Sequence, residues 1–256
     1  MVDSARTSHV FGVRLDEIRS LEQLRAVCEA FLDGDRPARI YTPNPEILLQ
    51  ARDDRPYARV LNSSDLALAD GVGVALVQSI RARRRVHRWP GADIGGLLVR
   101  IAARREVTVA FLGGSEGVAE LAADRWRRAL PGVRIEVVGA GTAFDEEGRA
   151  DGGGGDASLV RAVTATKAAV VLVALGAPKQ ERWIARNADA IPTARVLIGI
   201  GGTFDMWAGR LPRAPGAVRR FGLEWAWRLA HEPSRWRRIV RATIVFPYRA
   251  LTDSRA

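Results

Sequence analysis

The chain has almost none of the residues that build disulfides and metal clusters. Cys28 is the single cysteine among 256 residues, so a disulfide within the chain is excluded and a cysteine-based metal site is disfavoured. Its place in an amphipathic stretch predicts a small buried side chain rather than a nucleophile. The histidines His9, His87 and His231 are too scattered to suggest a metal cluster. We therefore expect a protein that needs neither a metal ion nor another cofactor.

Long apolar runs and lysine are also scarce. No run approaches the roughly 20 apolar residues of a membrane-spanning helix, and residues 1–10 do not read as a signal peptide. We expect a cytoplasmic protein. The net charge of +10 comes almost entirely from arginine, since Lys167 and Lys179 are the only lysines. Such a charge indicates an anionic partner, which could be nucleic acid, a membrane surface or a phosphorylated substrate.

Short apolar runs alternate with helical patterns along most of the chain. This alternation predicts an α/β, Rossmann-like fold, with a largely parallel sheet and flanking helices, over residues 1–209. Residues 168–175 form the clearest buried strand. Residues 9–15 read as another strand, followed by a helix to residue 32 that Asp16 would cap. The further predicted strands cover residues 38–41, 66–68, 107–112, 134–138 and 196–200.

Residues 210–256 differ in composition from the rest of the sequence and predict a basic helical C-terminal appendage. Arginines crowd this region between tryptophans. One helix would carry Trp236, Ile239, Val240 and Thr243 on a single face, with most arginines outside it. That face could dock on the protein's own core, or the basic amphipathic helix could lie on a membrane surface. We expect a combination of the two.

The segment 176–181 follows directly on the buried strand 168–175. Pro178 can occupy the first turn of a helix. Gly176, Lys179 and Gln180 then lie beyond the carboxyl end of a strand, where α/β sheets usually bind ligands. Helix-start amides and a lysine can hold a phosphate or diphosphate. The segment therefore predicts an enzyme that acts on phosphorylated substrates.

Polar residues also follow other predicted strands. Thr42 and Asn44 are flanked by prolines and could form a turn or line a pocket. Asp70 could cap the next helix or serve as a general base. Gly113–Gly114 suits a phosphate or ribose but lacks the full G-x-G-x-x-G spacing. Asp205 could accept hydrogen bonds from a sugar, ribose or base.

Arg88 lies beside Trp89 and Pro90, after the arginine-rich run 81–85. The run reads as a solvated face, whereas Arg88 is better placed for a structural ion pair or for anion binding.

Taken together, ordered segments of the chain resemble the bacterial WecG/TagA/CpsF glycosyltransferase family over about residues 11–241. The matching segments are residues 11–13, 42–44, 70–73, 88–93, 111–114, 175–181, 201–205, 213–215, 222–225 and 232–235.

The resemblance implies an inverting, metal-independent sugar transfer. The donor would be a UDP-sugar, with N-acetylmannosamine or a related hexose as the sugar. The acceptor would be a polyprenyl-diphosphate-linked glycan for teichoic acid or another cell-surface polysaccharide. The enzyme would then associate peripherally with the inner face of the plasma membrane.

The resemblance also implies roles for individual residues. Asp70 matches the proposed catalytic base. Substrate contacts are expected from residues at several strand ends and one loop: Thr42, Asn44, Arg88, Gly113, Gly114, Gly176, Lys179, Gln180 and Asp205. The candidates for the acceptor diphosphate are appendage arginines: Arg228, Arg235 and Arg238. Residues 244–248 are more apolar than the family leads us to expect, so they either insert into the membrane or pack on protein.

Two other functions fit parts of the sequence. A nucleic-acid-binding α/β protein is motivated only by the charge of +10, without a recognised binding motif. A dinucleotide oxidoreductase is motivated by Gly113–Gly114 alone. With the glycosyltransferase reading we expect no nucleic-acid partner. The apolar C-terminal face makes a homo-oligomer a further candidate assembly.

Overall fold

The computed structural model describes residues 6–152, 154–211, 214–216, 218, 224–231, 233 and 236–253, without the side chains of residues 224, 228 and 231. A six-stranded parallel sheet forms the centre of the fold, in the order β4-β3-β8-β7-β5-β6, and a two-stranded hairpin, β1-β2, lies beside it. The described strands are β1 (Thr7–Val10), β2 (Val13–Asp16), β3 (Ala38–Tyr41), β4 (Leu66–Ala67), β5 (Val109–Gly113), β6 (Ile135–Val138), β7 (Val170–Ala174) and β8 (Val196–Gly199).

Helices follow most of the strands, which confirms the predicted α/β fold with a parallel sheet. A 3₁₀ turn at Ala188–Ala190 and a π-helical segment at Arg241–Val245 complete the regular structure of the described residues. The described helices are α1 (Leu21–Leu32), α2 (Pro45–Asp53), α3 (Arg55–Asn62), α4 (Val72–Ala82), α5 (Gly91–Arg104), α6 (Val118–Ala129), α7 (Gly155–Ala165), α8 (Lys179–Asn187), α9 (Thr203–Trp207), α10 (Glu224–His231), α11 (Trp236–Val240) and α12 (Phe246–Thr252).

The sheet separates two apolar cores. Strand β7 lies between β8 and β5, and all of its residues are buried. Val171 and Val173 belong to the core on one face, and Val170 and Leu172 belong to the core on the other. Helices α1, α5, α6 and α9 cover one face, and α2, α3, α4, α7, α8 and α12 cover the other. This two-sided burial explains the uninterrupted apolar run of the strand.

Cys28 lies inside one of these cores. It shares the buried stripe of α1 with Leu24 and Val27, at the spacing of one helix face. Burial raises the pKa of the Cys28 thiol to about 12, so the group stays protonated at neutral pH. The prediction of a small buried side chain is confirmed.

The N-terminal segment differs from the predicted single strand 9–15. Strands β1 and β2 pair with each other in antiparallel fashion, outside the main sheet. Phe11 and Gly12 form the turn between them, with φ angles of 53° and 75°. Two successive positive φ angles are what a two-residue hairpin turn requires. The alternating apolar pattern therefore belongs to a hairpin that folds back on itself.

The predicted capping role of Asp16 is also wrong. Ser20 caps α1, where its hydroxyl accepts a hydrogen bond from the Gln23 amide at 3.1 Å. Asp16 is buried, and its Oδ2 accepts a hydrogen bond from the Ala67 amide at 2.8 Å. The end of β2 therefore holds the two-residue strand β4 in place from outside the sheet.

The C-terminal helix docks on the rest of the protein. Helix α11, the π-helical segment and α12 follow one another without a break. Phe246 and Ala250 are fully buried, and the Phe246 ring packs edge-on against Phe11 at 5.9 Å between ring centroids. The Arg81 guanidinium donates to the Ala250 carbonyl. Docking therefore joins α12 to both α4 and the hairpin turn.

The face predicted to make this contact is not the one that docks. Trp236 is 54% exposed and Val240 is 38% exposed. The π-helical segment lies between these residues and Phe246, and it breaks the 3.6-residue period on which the predicted face was based. Within residues 244–248, Ile244 and Tyr248 are 63% and 70% exposed on either side of buried Phe246. No helix in the described part of the chain has both the length and the hydrophobicity needed to span a bilayer.

Removing the Phe246 ring tests the docking of the C-terminal helix. Phe246→Ala deletes a fully buried aromatic side chain, so we expect the free energy of unfolding to fall by about 3–5 kcal/mol. Tyr248→Ala, two residues away and largely exposed, is the matched control and should change it by less than about 0.5 kcal/mol. Urea denaturation followed by circular dichroism measures both. Equal stability of the two variants would contradict the docked arrangement.

Candidate active site

The polar residues predicted to bind substrate lie along one edge of the sheet. Because the six strands are parallel, their carboxyl ends all open onto that edge. Neighbouring strands β7 and β5 lead in opposite directions, β7 to β8 and β5 to β6, and such sheets usually bind ligands at this change of direction, so we expect the substrate crevice beside the carboxyl end of β7. Read across the sheet from β4 to β5, the edge carries Asp70, Thr42, the turn 201–205, the segment 176–180 and Gly113–Gly114.

Asp70 and Thr42 lie next to each other at this edge. The Asp70 amide donates to the Pro43 carbonyl at 3.0 Å, which joins the end of β4 to the turn after β3. The Trp89 amide donates to the Ala69 carbonyl at 2.8 Å, so the loop before α5 lies against the same strand end. Helix α4 has Gly71 as its N-cap and no side-chain cap. Asp70 thus precedes the N-cap position of this helix by one residue, and its role as a general base stays a prediction.

A close approach at Gly91 connects Thr42 to the centre of the crevice. Thr42 is buried, and a Cβ atom at Gly91 would lie 2.9 Å from its Oγ1 and 3.5 Å from the Gly199 carbonyl. Only a glycine lets the start of α5 approach this closely. Gly91 therefore fits the first turn of α5 between the ends of β3 and β8.

Gln180 lies below the surface of the crevice. It is 5% exposed, its Oε1 accepts from the Gly201 amide at 2.9 Å, and its Nε2 donates to Glu181 Oε1 at 2.7 Å. Glu181 is also buried, and its Oε2 accepts from the Tyr57 hydroxyl at 3.0 Å. Sequence reasoning assigned Gln180 to substrate contact and missed Glu181 and Tyr57. The available signal was an acidic residue three positions before Ile184, on the face of α8 that packs on the sheet.

Asn44 begins α2 at the same edge. Its Oδ1 accepts hydrogen bonds from the Glu46 and Ile47 amides at 2.9 and 3.0 Å. Those bonds occupy the side-chain oxygen and leave the amide group for other contacts. Arg238 of the C-terminal helix reaches this helix start, with its Nε 2.8 Å from Glu46 Oε1. The Arg238 guanidinium is thus engaged with a carboxylate two residues from Asn44.

Lys179 turns away from the crevice toward a neighbouring loop. Its ammonium donates to the Phe144 carbonyl at 2.6 Å. Helix α8 starts at Lys179, with Pro178 at the N-cap position rather than inside the first turn. Lys179 therefore holds the loop after β6, and its role in phosphate binding stays a prediction.

Three other predicted contact sites lie further along the edge. Gly113 has a φ of 81°, and a Cβ there would lie 2.5 Å from Leu175, so packing alone requires glycine. The Gly114 amide donates to the Ala174 carbonyl at 3.0 Å. Gly176 begins the turn after β7, and Asp205 lies half-buried in the first turn of α9. Substrate contact at each of them stays a prediction.

The predicted arginines have different outcomes. Arg88 is half-buried in the loop whose next residue, Trp89, contacts the end of β4. Arg235 and the side chain of Arg228 lie outside the described residues, as do parts of the segments 213–215, 222–225 and 232–235. Among the residues that are described, no group of three His, Cys, Asp or Glu side chains is placed to hold a metal ion.

The fold is Rossmann-like α/β, and the predicted site residues of its described part gather mainly at the carboxyl edge of the sheet. A model of the glycosyl transferase WecG/TagA/CpsF family matches residues 8–256, and the chain belongs to this family. It is therefore a glycosyltransferase, and the nucleic-acid-binding and oxidoreductase alternatives lose their support.

Curated relatives share most of the chain. An N-acetylglucosaminyldiphosphoundecaprenol N-acetyl-beta-D-mannosaminyltransferase of Bacillus spizizenii is 35% identical over 210 residues, which cover 82% of this chain and 77% of the relative. The protein of the same name from Bacillus subtilis is 33% identical over 211 residues, with 82% and 78% coverage. One from Staphylococcus aureus is 26% identical over 233 residues, with 91% and 86% coverage.

Two substitutions at Asn44 separate its capping role from a substrate role. Asn44→Ala removes the cap of α2 and should lower the free energy of unfolding by about 1 kcal/mol. Asn44→Asp keeps a capping oxygen and should hold stability within about 0.5 kcal/mol of wild type, but it lacks the amide donors. If the amide group binds substrate, both variants lose sugar-transfer activity. Full activity of Asn44→Asp would show that Asn44 acts only as a helix cap.

Proposed function

We propose that this glycosyltransferase moves N-acetylmannosamine from its UDP derivative to polyprenyl-diphosphate-linked N-acetylglucosamine. The observation that carries the proposal is Asp70, beside Thr42 at the carboxyl edge of the sheet, in a chain 35% identical to a transferase named for this sugar and acceptor. The proposed pathway is teichoic acid synthesis or that of a related cell-surface polysaccharide.

The proposed reaction is a single displacement. Asp70 takes the proton of the acceptor hydroxyl as that oxygen attacks the anomeric carbon of the donor. The new glycosidic bond forms as the bond between the anomeric carbon and the UDP oxygen breaks, and UDP leaves with the electron pair. Attack opposite the leaving group inverts the anomeric configuration. Asp70 keeps the proton until solvent removes it.

The residues around Asp70 supply positioning and charge. Thr42 is held against the start of α5, and Asn44 is fixed by its cap, so both side chains have little freedom to move at this edge. We assign Arg88, in the loop against Ala69, to the donor diphosphate, where a guanidinium stabilises the charge that develops on UDP. Gly113, Gly114, Gly176 and Asp205 would line the nucleotide-sugar side of the crevice.

Replacing Asp70 tests the catalytic assignment. Asp70→Asn keeps the size of the side chain but removes the base, so turnover should fall by about 10²–10⁴-fold. Binding of the UDP-sugar, measured by calorimetry, should stay close to the wild-type value. UDP release from UDP-N-acetylmannosamine and a lipid-linked N-acetylglucosamine acceptor measures turnover. Asp189→Asn, an exposed carboxylate after α8, is the control, and normal turnover of Asp70→Asn would overturn the assignment.

The proposal also includes a membrane surface as partner. Helix α4 exposes Val72, Leu76 and Ile80 at four-residue spacing, and the C-terminal helix exposes Ile244 and Tyr248. We call these five residues the exposed apolar face. Helices α4 and α12 are joined through Phe246 and its neighbours, so both rows belong to one packed pair of helices.

Positive charge accompanies the exposed apolar face. Arg83 and Arg85 are exposed at the end of α4, and Arg237, Arg241 and Arg249 are exposed along the C-terminal helix. Apolar side chains beside arginines are typical of helices that lie in the interface of an anionic bilayer. We infer peripheral binding to the cytoplasmic face of the membrane, where a lipid-linked acceptor is presented. Arg228 and Arg235 stay candidates for the acceptor diphosphate.

Two matched leucines test the membrane contact. Leu76 and Leu121 are 50% and 46% exposed, and Leu121 lies on α6, which covers the opposite face of the sheet. Leu76→Glu should weaken binding to phosphatidylglycerol vesicles by about tenfold or more, because it removes apolar burial and adds a negative charge. Leu121→Glu should leave binding unchanged in the same sedimentation assay. If Leu76→Glu instead dissociates a dimer and leaves vesicle binding intact, the face joins two subunits.

A further inference from the structure

Glu181 is a buried carboxyl group to which the proposed reaction gives no role. It is 2% exposed at the start of α8, below the crevice. Both of its oxygens accept a hydrogen bond, one from the side-chain amide of Gln180 at 2.7 Å and one from the Tyr57 hydroxyl at 3.0 Å. Burying a carboxyl group is costly unless its hydrogen bonds are made, so this arrangement calls for an explanation.

These contacts form a series of hydrogen bonds in which each donor and each acceptor is fixed. The Gly201 amide donates to Gln180 Oε1 at 2.9 Å, Gln180 Nε2 donates to Glu181, and Tyr57 donates to Glu181 from the other side. Because Glu181 accepts at both oxygens, it forces the amide group of Gln180 to face it. The oxygen of Gln180 must then face Gly201, and a flipped Gln180 would present its amide group to another donor.

The raised pKa of Tyr57 agrees with this direction. Burial and the neighbouring Glu181 raise the pKa of Tyr57 far above its usual range, so the phenol keeps its proton and donates. Burial raises the pKa of Glu181, while the hydrogen bonds from Gln180 and Tyr57 act in the opposite sense. Tyr57 therefore stays a donor to Glu181, and the hydrogen bonds that Glu181 receives favour its charged form against the effect of burial.

This hydrogen-bond series joins three parts of the fold at the crevice. Gly201 starts the turn between β8 and α9, Gln180 and Glu181 start α8 after β7, and Tyr57 belongs to α3. Gln180 also lies against β8 itself, since a Cβ at Gly199 would meet its side chain at 2.7 Å. The turn that follows β8 is thus fixed by a side chain in the first turn of α8, the helix that follows the neighbouring strand β7.

We propose that Glu181 is a positioning residue of the transferase, which orients Gln180 and thereby holds the 201–205 turn in the shape that binds the UDP-sugar. The proposal rests on the proposed function for the identity of the donor. It gives Gln180 an indirect role in place of the direct substrate contact expected from the sequence.

An exchange of side chains between positions 180 and 181 tests the proposal. Glu181→Gln leaves one oxygen for two donors, and Gln180→Glu brings two carboxyl groups face to face. The double variant Gln180→Glu/Glu181→Gln has the same atoms with the acceptor pair moved by one residue. In it Gly201 still donates to position 180, position 181 donates to position 180, and Tyr57 still has an acceptor.

Two measurements are made on the full chain. Amide hydrogen exchange of the 199–205 segment should become faster in both single variants and return to the wild-type rate in the double variant. Steady-state kinetics should show the donor KM raised about tenfold in the single variants, as expected for one lost hydrogen bond. The kcat and the acceptor KM should stay within about twofold, since the lost interaction is one of uniform binding.

Tyr41→Phe is the matched control for loss of a buried hydroxyl. The Tyr41 hydroxyl donates to the main-chain carbonyl of Glu181 at 3.2 Å and takes no part in the hydrogen-bond series around the Glu181 side chain. It should lower thermal stability as Tyr57→Phe does, without the rise in donor KM that we expect of Tyr57→Phe. A similar rise for both would show that stability, not positioning, sets the donor KM, and would overturn the proposal.

The remaining outcomes are also decisive. If exchange and donor KM in the double variant are changed as much as in the single variants, the fixed direction of the hydrogen-bond series is wrong. Faster exchange at residues 199–205 with an unchanged donor KM would overturn the positioning role while the proposed function stands. If the wild-type enzyme releases no UDP from the donor, the proposed function fails and the UDP-sugar role of the turn fails with it. The exchange measurement then still decides whether Glu181 fixes the turn.

Discussion

Six parallel strands covered by helices on both faces are the constraint on which the rest of this structure depends. The faces are closed, so chemistry is confined to an edge, and the described strand-to-helix turns that carry predicted site residues meet at the carboxyl edge. The six strands therefore gather residues that are far apart in the chain, such as Asp70 and Gly201. The same closure leaves little water below the edge, and buried polar groups there must find partners within the protein.

Two buried carboxyl groups find their hydrogen-bond partners within the protein in similar ways. Asp16 accepts from the Ala67 amide, and Glu181 accepts from Gln180 and Tyr57. Burial raises the pKa of each, which shows what desolvation costs the charged form. In return, Asp16 fixes a two-residue strand only three positions before Asp70, and Glu181 fixes the turn after β8. Both carboxyl groups are more deeply buried than Asp70 and Asn44, which are expected to touch substrate.

The sequence was sufficient for features that depend on local pattern. The buried strand 168–175, the helix after Asp70 and the alternation of strands and helices all follow from periodicity and from glycine and proline. The long-range contacts could not be read in this way. Asp16 looked like a helix cap because a carboxylate before a helical pattern usually is one, and only its position beside Ala67 shows otherwise. Gln180 looked available for substrate contact because Gly201, which donates to it, and Tyr57, which donates to its neighbour Glu181, are distant in the chain.

The C-terminal helix shows the same limit, and its docking would set the geometry of the proposed membrane contact. Phe246 and Ala250 hold it to the core, while Ile244 and Tyr248 stay exposed, so the contact that fixes the helix leaves those side chains available for another surface. The C-terminal helix could then contact a membrane without leaving its place on the core. Because α4 follows directly on Asp70 and exposes its own apolar row, a bilayer against this face lies along the helix that begins at the catalytic edge. A lipid-linked acceptor would then need to reach only the start of α4, not cross the protein.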